Sequence, residues 1–264
     1  MIQMNKFGVL SLEERLAQLE HQVARIQDRH EIEMLIGDMG TCWSQKNMSR
    51  AGDFFAYEMP DVSVEVGDRG TYVGKEELEK LYSAEYQIPK NEGNMLRHFN
   101  TTPQIEVADD GRTAEGVWWQ IGIETIMNKD DVPQAVWCFC LSAFDFIRIE
   151  GKWKIWHQHV YVLAKCDYEK GWAKDYDQWT TQWIDRSKYE IADGLVVEKH
   201  VGAKTSFHNP YSPKWIQEAV PAGPVPYKTW KNSNWIFRHC PELIPKDVPG
   251  FDAEDPAFFV PEGK

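Results

Sequence analysis

From Arg97 to Leu163 the chain reads as extended almost throughout, and no other stretch limits its possible folds so strongly. Extended segments run from His98 to Val107, Thr113 to Met127, Gln134 to Ile149 and Lys152 to Leu163. Between them stand the turn Ala108-Asp109-Asp110-Gly111, a polar loop from Asn128 to Pro133, and the tight turn Glu150-Gly151. Gly, Asp and Asn tolerate the backbone angles of such turns, so the pattern predicts long strands in an antiparallel meander. Ahead of it, Val62, Val64 and Val66 alternate with Ser63, Glu65 and Gly67, as a half-buried strand does. Asp68-Arg69-Gly70 turns this strand back into Thr71-Tyr72-Val73, and Gly74-Lys75-Glu76-Glu77 opens a helix reaching about Tyr86.

The first third is helical. Ser11 and Glu14 have the spacing of a capping box. Leu12, Leu16, Leu19, Val23 and Ile26 follow at alternating steps of four and three, a narrow apolar seam that packs on a partner subunit or on the body. A second pattern runs through Ile32, Leu35, Ile36 and Met39, and a third helix is predicted over Met48 to Ala56. After Cys166 the character changes to proline clusters interleaved with aromatic residues. The chain has 12 tryptophans, half of them beyond residue 165, whereas disordered tails are poor in aromatics. The expected organisation is a helical arm at 1–30, an α+β domain at 31–165, and an ordered extension at 166–264 that wraps the body or a neighbouring subunit.

Charge and composition narrow the function. A formal net charge of −12 opposes nucleic-acid and anionic-membrane partners, which need clustered Lys and Arg. No apolar run of about 18 residues exists to span a bilayer. The N-terminus lacks the basic start and apolar stretch of a signal peptide, so the expected location is cytoplasmic. Five scattered cysteines suggest reduced thiols, and Cys138 and Cys140 share one strand face as small core residues. Phosphate loops, nucleophile elbows and dinucleotide fingerprints are absent, and no cofactor is expected.

The order helix, helix, hairpin with helix, then long antiparallel strands resembles the nuclear transport factor two-like superfamily. The SnoaL-like branch, which includes polyketide cyclases, scytalone dehydratase and bile-acid dehydratase, is the nearest. The residues carrying the likeness are Ile32 to Ala56, Val62 to Gly74, Arg97 to Asn100 and Gly151 to Ile155. The resemblance implies a cone-shaped curved antiparallel sheet packed with N-terminal helices, a cystatin-like α+β barrel, with an apolar pocket inside. It implies a catalytic His at His98. The Asp and Tyr that assist this His in the dehydratases fall on Ser44 and Met39, so His98 needs another partner.

Several residues can carry the chemistry. His98 can move a proton near neutral pH. His157, His159 and Tyr161 recur at every second position, so they share one face, with Trp153 and Ile155, in a pocket or at a subunit interface. Their spacing invites a metal, but no carboxylate at a matched spacing completes a site, and none is expected. Trp118, Gln120, Gly122 and Glu124 share another strand face. Asp145, in an apolar strand, either faces solvent or is buried as the partner of His98. Trp43, Tyr72 and Trp118 are candidate pocket walls. The loop from Phe207 to Pro213, with His208, Asn209 and Tyr211, is either a lid over a ligand or a turn anchored on the body.

These features point to a cofactor-independent lyase acting by general acid–base catalysis on a hydrophobic hydroxylated aromatic or polycyclic molecule. His98 moves a proton while His157, His159 or Tyr161 polarises a carbonyl or protonates a departing hydroxyl. One alternative is a γ-formaldehyde lyase for lignin-derived diarylpropanes. Another is a non-catalytic small-molecule-binding or oligomerisation module, and a homo-oligomer, dimer or trimer, is expected in each case. Convergence of His98 and His157 on one cavity favours catalysis; their separation favours the binding module.

Overall fold

In the computed structural model, which describes residues 10–45, 48–66, 70–86, 93, 95–127, 132–176, 210–214, 216 and 221–230, Ser11 caps the first helix. The Glu14 N–H donates to Ser11 Oγ (3.2 Å), and the Ser11 N–H donates to the Glu14 carboxylate (2.7 Å). Helix α1 then runs unbroken over Leu12–Ser44, so the two helical patterns in the sequence are one helix. Its C-terminal half buries Ile32, Ile36, Met39 and Cys42 in the main core. Its N-terminal seam does not pack on the body: Leu12, Leu16, Leu19, Val23 and Ile26 are between 51% and 79% exposed.

The third predicted helix is shorter than expected. A 3₁₀ turn (Met48–Arg50) leads into a single turn of helix, α2 (Ala51–Phe54). Phe55 leaves the helix because it joins the sheet, bridging Ile155, and the Ala56 N–H donates to Ile155 O (2.8 Å). Strands β1 (Ser63–Val66) and β2 (Gly70–Val73) form the hairpin, followed by α3 (Lys75–Tyr86). Strands β3 (Met95–Val107), β4 (Thr113–Met127), β5 (Pro133–Ile149) and β6 (Lys152–Asp167) form the meander.

The six strands make one curved, unclosed sheet in the order β2-β1-β6-β5-β4-β3. Every pairing is antiparallel except β1 with β6, so the sheet is mixed. Its inner face packs on α1. There Trp118, Phe144, Phe146, Trp153 and Ile155 meet the buried helix residues in one core. Trp153 also donates its Nε1–H to Asp28 on α1 (3.1 Å), and Asp28 pairs with Arg148 (3.0 Å).

Two irregularities in β6 decide which side chains point inward. Phe139 and Cys140 oppose Ala164 and Val162, leaving Leu163 as an extra residue. Asp145 opposes His157 while the next residue, Phe146, opposes Ile155, leaving Trp156 as a second bulge. A bulge inserts one residue and reverses the alternation beyond it. The face shared by Trp153, Ile155, His157, His159 and Tyr161 in the sequence reading is therefore divided. Trp153 and Ile155 face α1; His157, His159 and Tyr161 face outward.

The described pieces of the C-terminal hundred residues lie against the body. The Tyr211 N–H donates to Leu163 O (2.6 Å), and the Asp109 N–H donates to Tyr227 O (3.0 Å). Trp230 packs on Trp156 with ring centroids 4.9 Å apart. No helix among the described residues is long and apolar enough to cross a membrane.

Candidate active site

Four residues stand side by side across the inner face, one per strand: His98 on β3, Gly122 on β4, Cys138 on β5 and Lys165 on β6. Directly opposed residues of antiparallel strands point to one side, so register alone assembles this row. Gly122 contributes no side chain, and the His98 imidazole occupies that space: a Cβ at Gly122 would lie 2.7 Å from His98 Nε2. Glu124, two residues along β4, shares the face. Its Oε1 lies 2.9 Å from His98 Nε2 and its Oε2 lies 3.0 Å from Lys165 Nζ. The His98 and Glu124 side chains are each only 8% exposed, and Lys165 is buried.

The charges follow from these contacts. Burial alone would raise the Glu124 pKa, but the Lys165 ammonium and the hydrogen bond from His98 outweigh it and hold the carboxyl well below its usual range. An ionised carboxylate can only accept, so Nε2 of His98 carries the hydrogen. In the neutral ring Nδ1 then holds the lone pair. A carboxylate behind an imidazole fixes the tautomer and stabilises the imidazolium formed on proton uptake.

Ser44 stands where the sequence reading looked for a carboxylate, and it has a different task. The backbone N–H of His98 donates to Ser44 Oγ (3.3 Å), and Arg97 donates to Ser44 O (2.6 Å). These bonds fasten the end of α1 to the start of β3. Trp43, one residue earlier, lies beside the imidazole with ring centroids 6.1 Å apart. Along the same face Gln120 donates to Asn100 (3.1 Å) and Ser142 donates to Gln120 (3.3 Å). The Cys138 and Cys140 thiols meet at 3.5 Å.

Because Gly122 is the space in which His98 rests, Gly122→Ala is expected to displace the imidazole from Glu124. Turnover of any compound that the chain converts is expected to fall about 10²-fold, the usual result of moving a reacting group by about 1 Å. The accompanying loss of stability should stay within about 1–3 kcal/mol. Measuring kcat alongside the urea midpoint separates the two effects.

The outer face holds a second set of histidines. His157 Nδ1 lies 2.8 Å from Asp145 Oδ2, and its Nε2 lies 3.5 Å from Asp61 Oδ2. Asp61 also accepts from Trp156 Nε1 (2.8 Å). Burial would lower the pKa of His157, but the hydrogen bonds and charges of Asp145 and Asp61 outweigh it and raise the imidazole to about 9. Asp61 shifts the opposite way: burial pushes it up, and the His157 hydrogen bond and charge hold it below its ordinary value. His159 Nε2 lies 3.3 Å from Glu65 Oε1, both side chains fully buried, and its ring stacks on Tyr161 with centroids 3.7 Å apart. Asp145 is therefore the partner of His157. His98 uses Glu124 instead.

The sequence candidates thus divide between two faces. His98, Trp43 and Trp118 are inner-face residues, although Trp118 is buried among Phe144 and Phe146. Tyr72 is fully buried in the main core. His157, His159, Tyr161 and Asp145 are outward, with the sheet between them and His98, which is the separation expected of a binding module. Tyr211 is half-buried and held by β6; His208 and Asn209 lie outside the described residues. Sequence reasoning missed Glu124 as the partner of His98 and Lys165 as the partner of Glu124. A signal for Glu124 was present, since a strand-interior Gly two residues away marks a close approach. Lys165 lies beyond the expected end of its strand.

The SnoaL-like domain is matched over residues 24–159. Among solved structures, the chain is similar to the hexachlorocyclohexane dehydrochlorinase LinA-type3 from Novosphingobium barchaimii LL02, at 17% identity over 55% of this chain and 93% of that one, with a TM-score of 0.46. It is also similar to an NTF2-like protein with a cystatin-like fold from Novosphingobium aromaticivorans, at 17% identity over 59% of this chain and 92% of that one, with a TM-score of 0.43. No curated protein matches the chain by sequence.

Proposed function

The chain belongs to the SnoaL-like domain family, and from that premise we propose that it is a cofactor-independent lyase whose proton-transfer residue is His98. The observation that carries this reading is the buried contact of His98 Nε2 with Glu124 (2.9 Å), itself held by Lys165. Nδ1 of His98 takes a proton from carbon, and Glu124 offsets the imidazolium charge. As the C–H electron pair becomes a C=C bond, the adjacent C–O bond breaks. The departing hydroxyl leaves as water after taking the proton back from His98, so a single imidazole serves as base and then acid. His157, His159 and Tyr161 have no part in this step, because the sheet lies between them and His98.

The substrate class is a hydrophobic hydroxylated aromatic or polycyclic molecule. The Trp43 ring beside His98 supports a flat apolar ligand. Release of formaldehyde from a diarylpropane is a second form of the same chemistry, favoured by the replacement of the dehydratase Asp and Tyr with Ser44 and Met39. A non-catalytic binding module is the competing reading, favoured by the separation of His98 from His157.

A mass-spectrometric screen of hydroxylated aromatic and steroid-like compounds tests these readings together. Loss of water or formaldehyde with the wild-type chain, abolished by His98→Ala, is the expected result. Loss that survives His98→Ala rules out this base, and binding without loss of either fragment supports the binding module.

A further inference from the structure

The N-terminal half of α1 carries an ordered apolar stripe on the side turned away from its own body. At 3.6 residues per turn, Leu12, Leu16, Leu19, Val23 and Ile26 fall within a band about 80° wide. All five are at least half exposed. The residues by which α1 grips the body lie on the opposite side. His21 reaches Asp109 O (3.3 Å), Arg25 donates to Val107 O, Asp28 holds Trp153, and Ile32 and Ile36 enter the core. The helix therefore cannot turn its stripe onto the body without giving up these contacts.

We infer that residues 12–26 pair with the same residues of a second copy of this chain as a short parallel coiled coil. The 4-3-4-3 spacing makes Leu16 and Val23 the a positions and Leu12, Leu19 and Ile26 the d positions. Arg15 then occupies a g position, and Glu13 and Glu20 occupy e positions. In a parallel pair, g faces the e position five residues ahead, so Arg15 meets the partner's Glu20, twice by symmetry. An antiparallel pair would instead set Glu13 against the partner's Glu20. Charge complementarity selects the parallel arrangement. Little more than two heptads are marginal for isolated helices, but this helix is already formed and anchored by its C-terminal half, so pairing pays no nucleation cost.

Sedimentation of the full chain, with variants at exposed positions, tests the pairing. A dimer is expected whose dissociation constant rises at least about 10²-fold in Leu16→Glu/Leu19→Glu, with an unchanged circular dichroism spectrum. Arg15→Glu should weaken the dimer, and Arg15→Glu/Glu20→Arg should restore it. Leu12→Cys should give a disulfide-linked dimer under mild oxidation, measured against the wild-type chain, because parallel pairing sets the two position-12 side chains in one layer. A monomer at tens of micromolar overturns the inference. So does a dimer indifferent to Leu16→Glu/Leu19→Glu, or one that Leu12→Cys fails to link.

Discussion

Asp145→Ala is expected to destabilise the chain by about 3–5 kcal/mol, the usual cost of stranding one partner of a buried ion pair. The His157 ring is buried, and Asp145 supplies its shorter contact, at 2.8 Å. Asp145→Asn should cost less, because the amide oxygen still accepts from Nδ1. The stability profile with pH carries the same signature. The folded-state pKa of His157 is raised from 6.5 to about 9, so its contribution is full below about 6.5 and is lost as pH rises through about 9. Asp61 is lowered from 3.8, so its contribution is present above that value and lost as pH falls below it. Urea denaturation from pH 4 to pH 10 should show wild-type stability declining on the alkaline side, with a shallower decline in Asp145→Asn. Equal slopes in the two proteins would mean that Asp145 does not hold the His157 charge.

His98→Ala is expected to lower kcat by about 10²–10⁴-fold on any compound the chain converts, the range that a positioned acid–base group supplies. The alanine removes the imidazole proposed to move the proton but leaves the backbone bond to Ser44 in place. Glu124→Gln should lower kcat by about 10²-fold or more, since the amide can present its NH₂ to Nε2 and so reverse the tautomer. Lys165→Met acts one step further away. Removing the ammonium takes a positive charge away from the buried His98–Glu124 pair and so favours its protonated form, and the acidic limb of the rate profile should move to higher pH. A limb that stays fixed in Lys165→Met would show that Lys165 does not act on the pair.

Much of the fold is legible in local sequence because its signals are local. The Ser11–Glu14 cap forms as its spacing demands. The turns at Gly111 and Gly151 occur at positive φ, which glycine adopts without steric cost. The helix after Gly74 likewise needs no knowledge of neighbours, whereas the strand expected to be half-buried has Ser63 and Glu65 buried as well as Val64. What escapes is whatever depends on register. One extra residue at Trp156 turned His157, His159 and Tyr161 away from the core face of Ile155, and strand periodicity has no mark for such a bulge. Glu124 stands 26 residues from His98 in sequence, and only the β3–β4 alignment brings the two together. The parallel pairing of β1 with β6 is equally invisible to local patterning, yet it sets Glu65 opposite His159. Helix length was misjudged for a related reason: Phe55 has every local reason to continue a helix and instead takes a place beside Ile155.

Imidazole NMR of the chain with a compound that it binds or converts tests most directly whether substrate meets the inner face. His98, His157 and His159 can be assigned by the loss of one resonance in each single substitution. The expected result is a ligand-induced shift of the His98 ring nitrogens, with those of His157 and His159 unmoved. Shifts confined to His157 or His159 would place the ligand on the outer face and contradict the assignment of His98 as the proton-transfer residue.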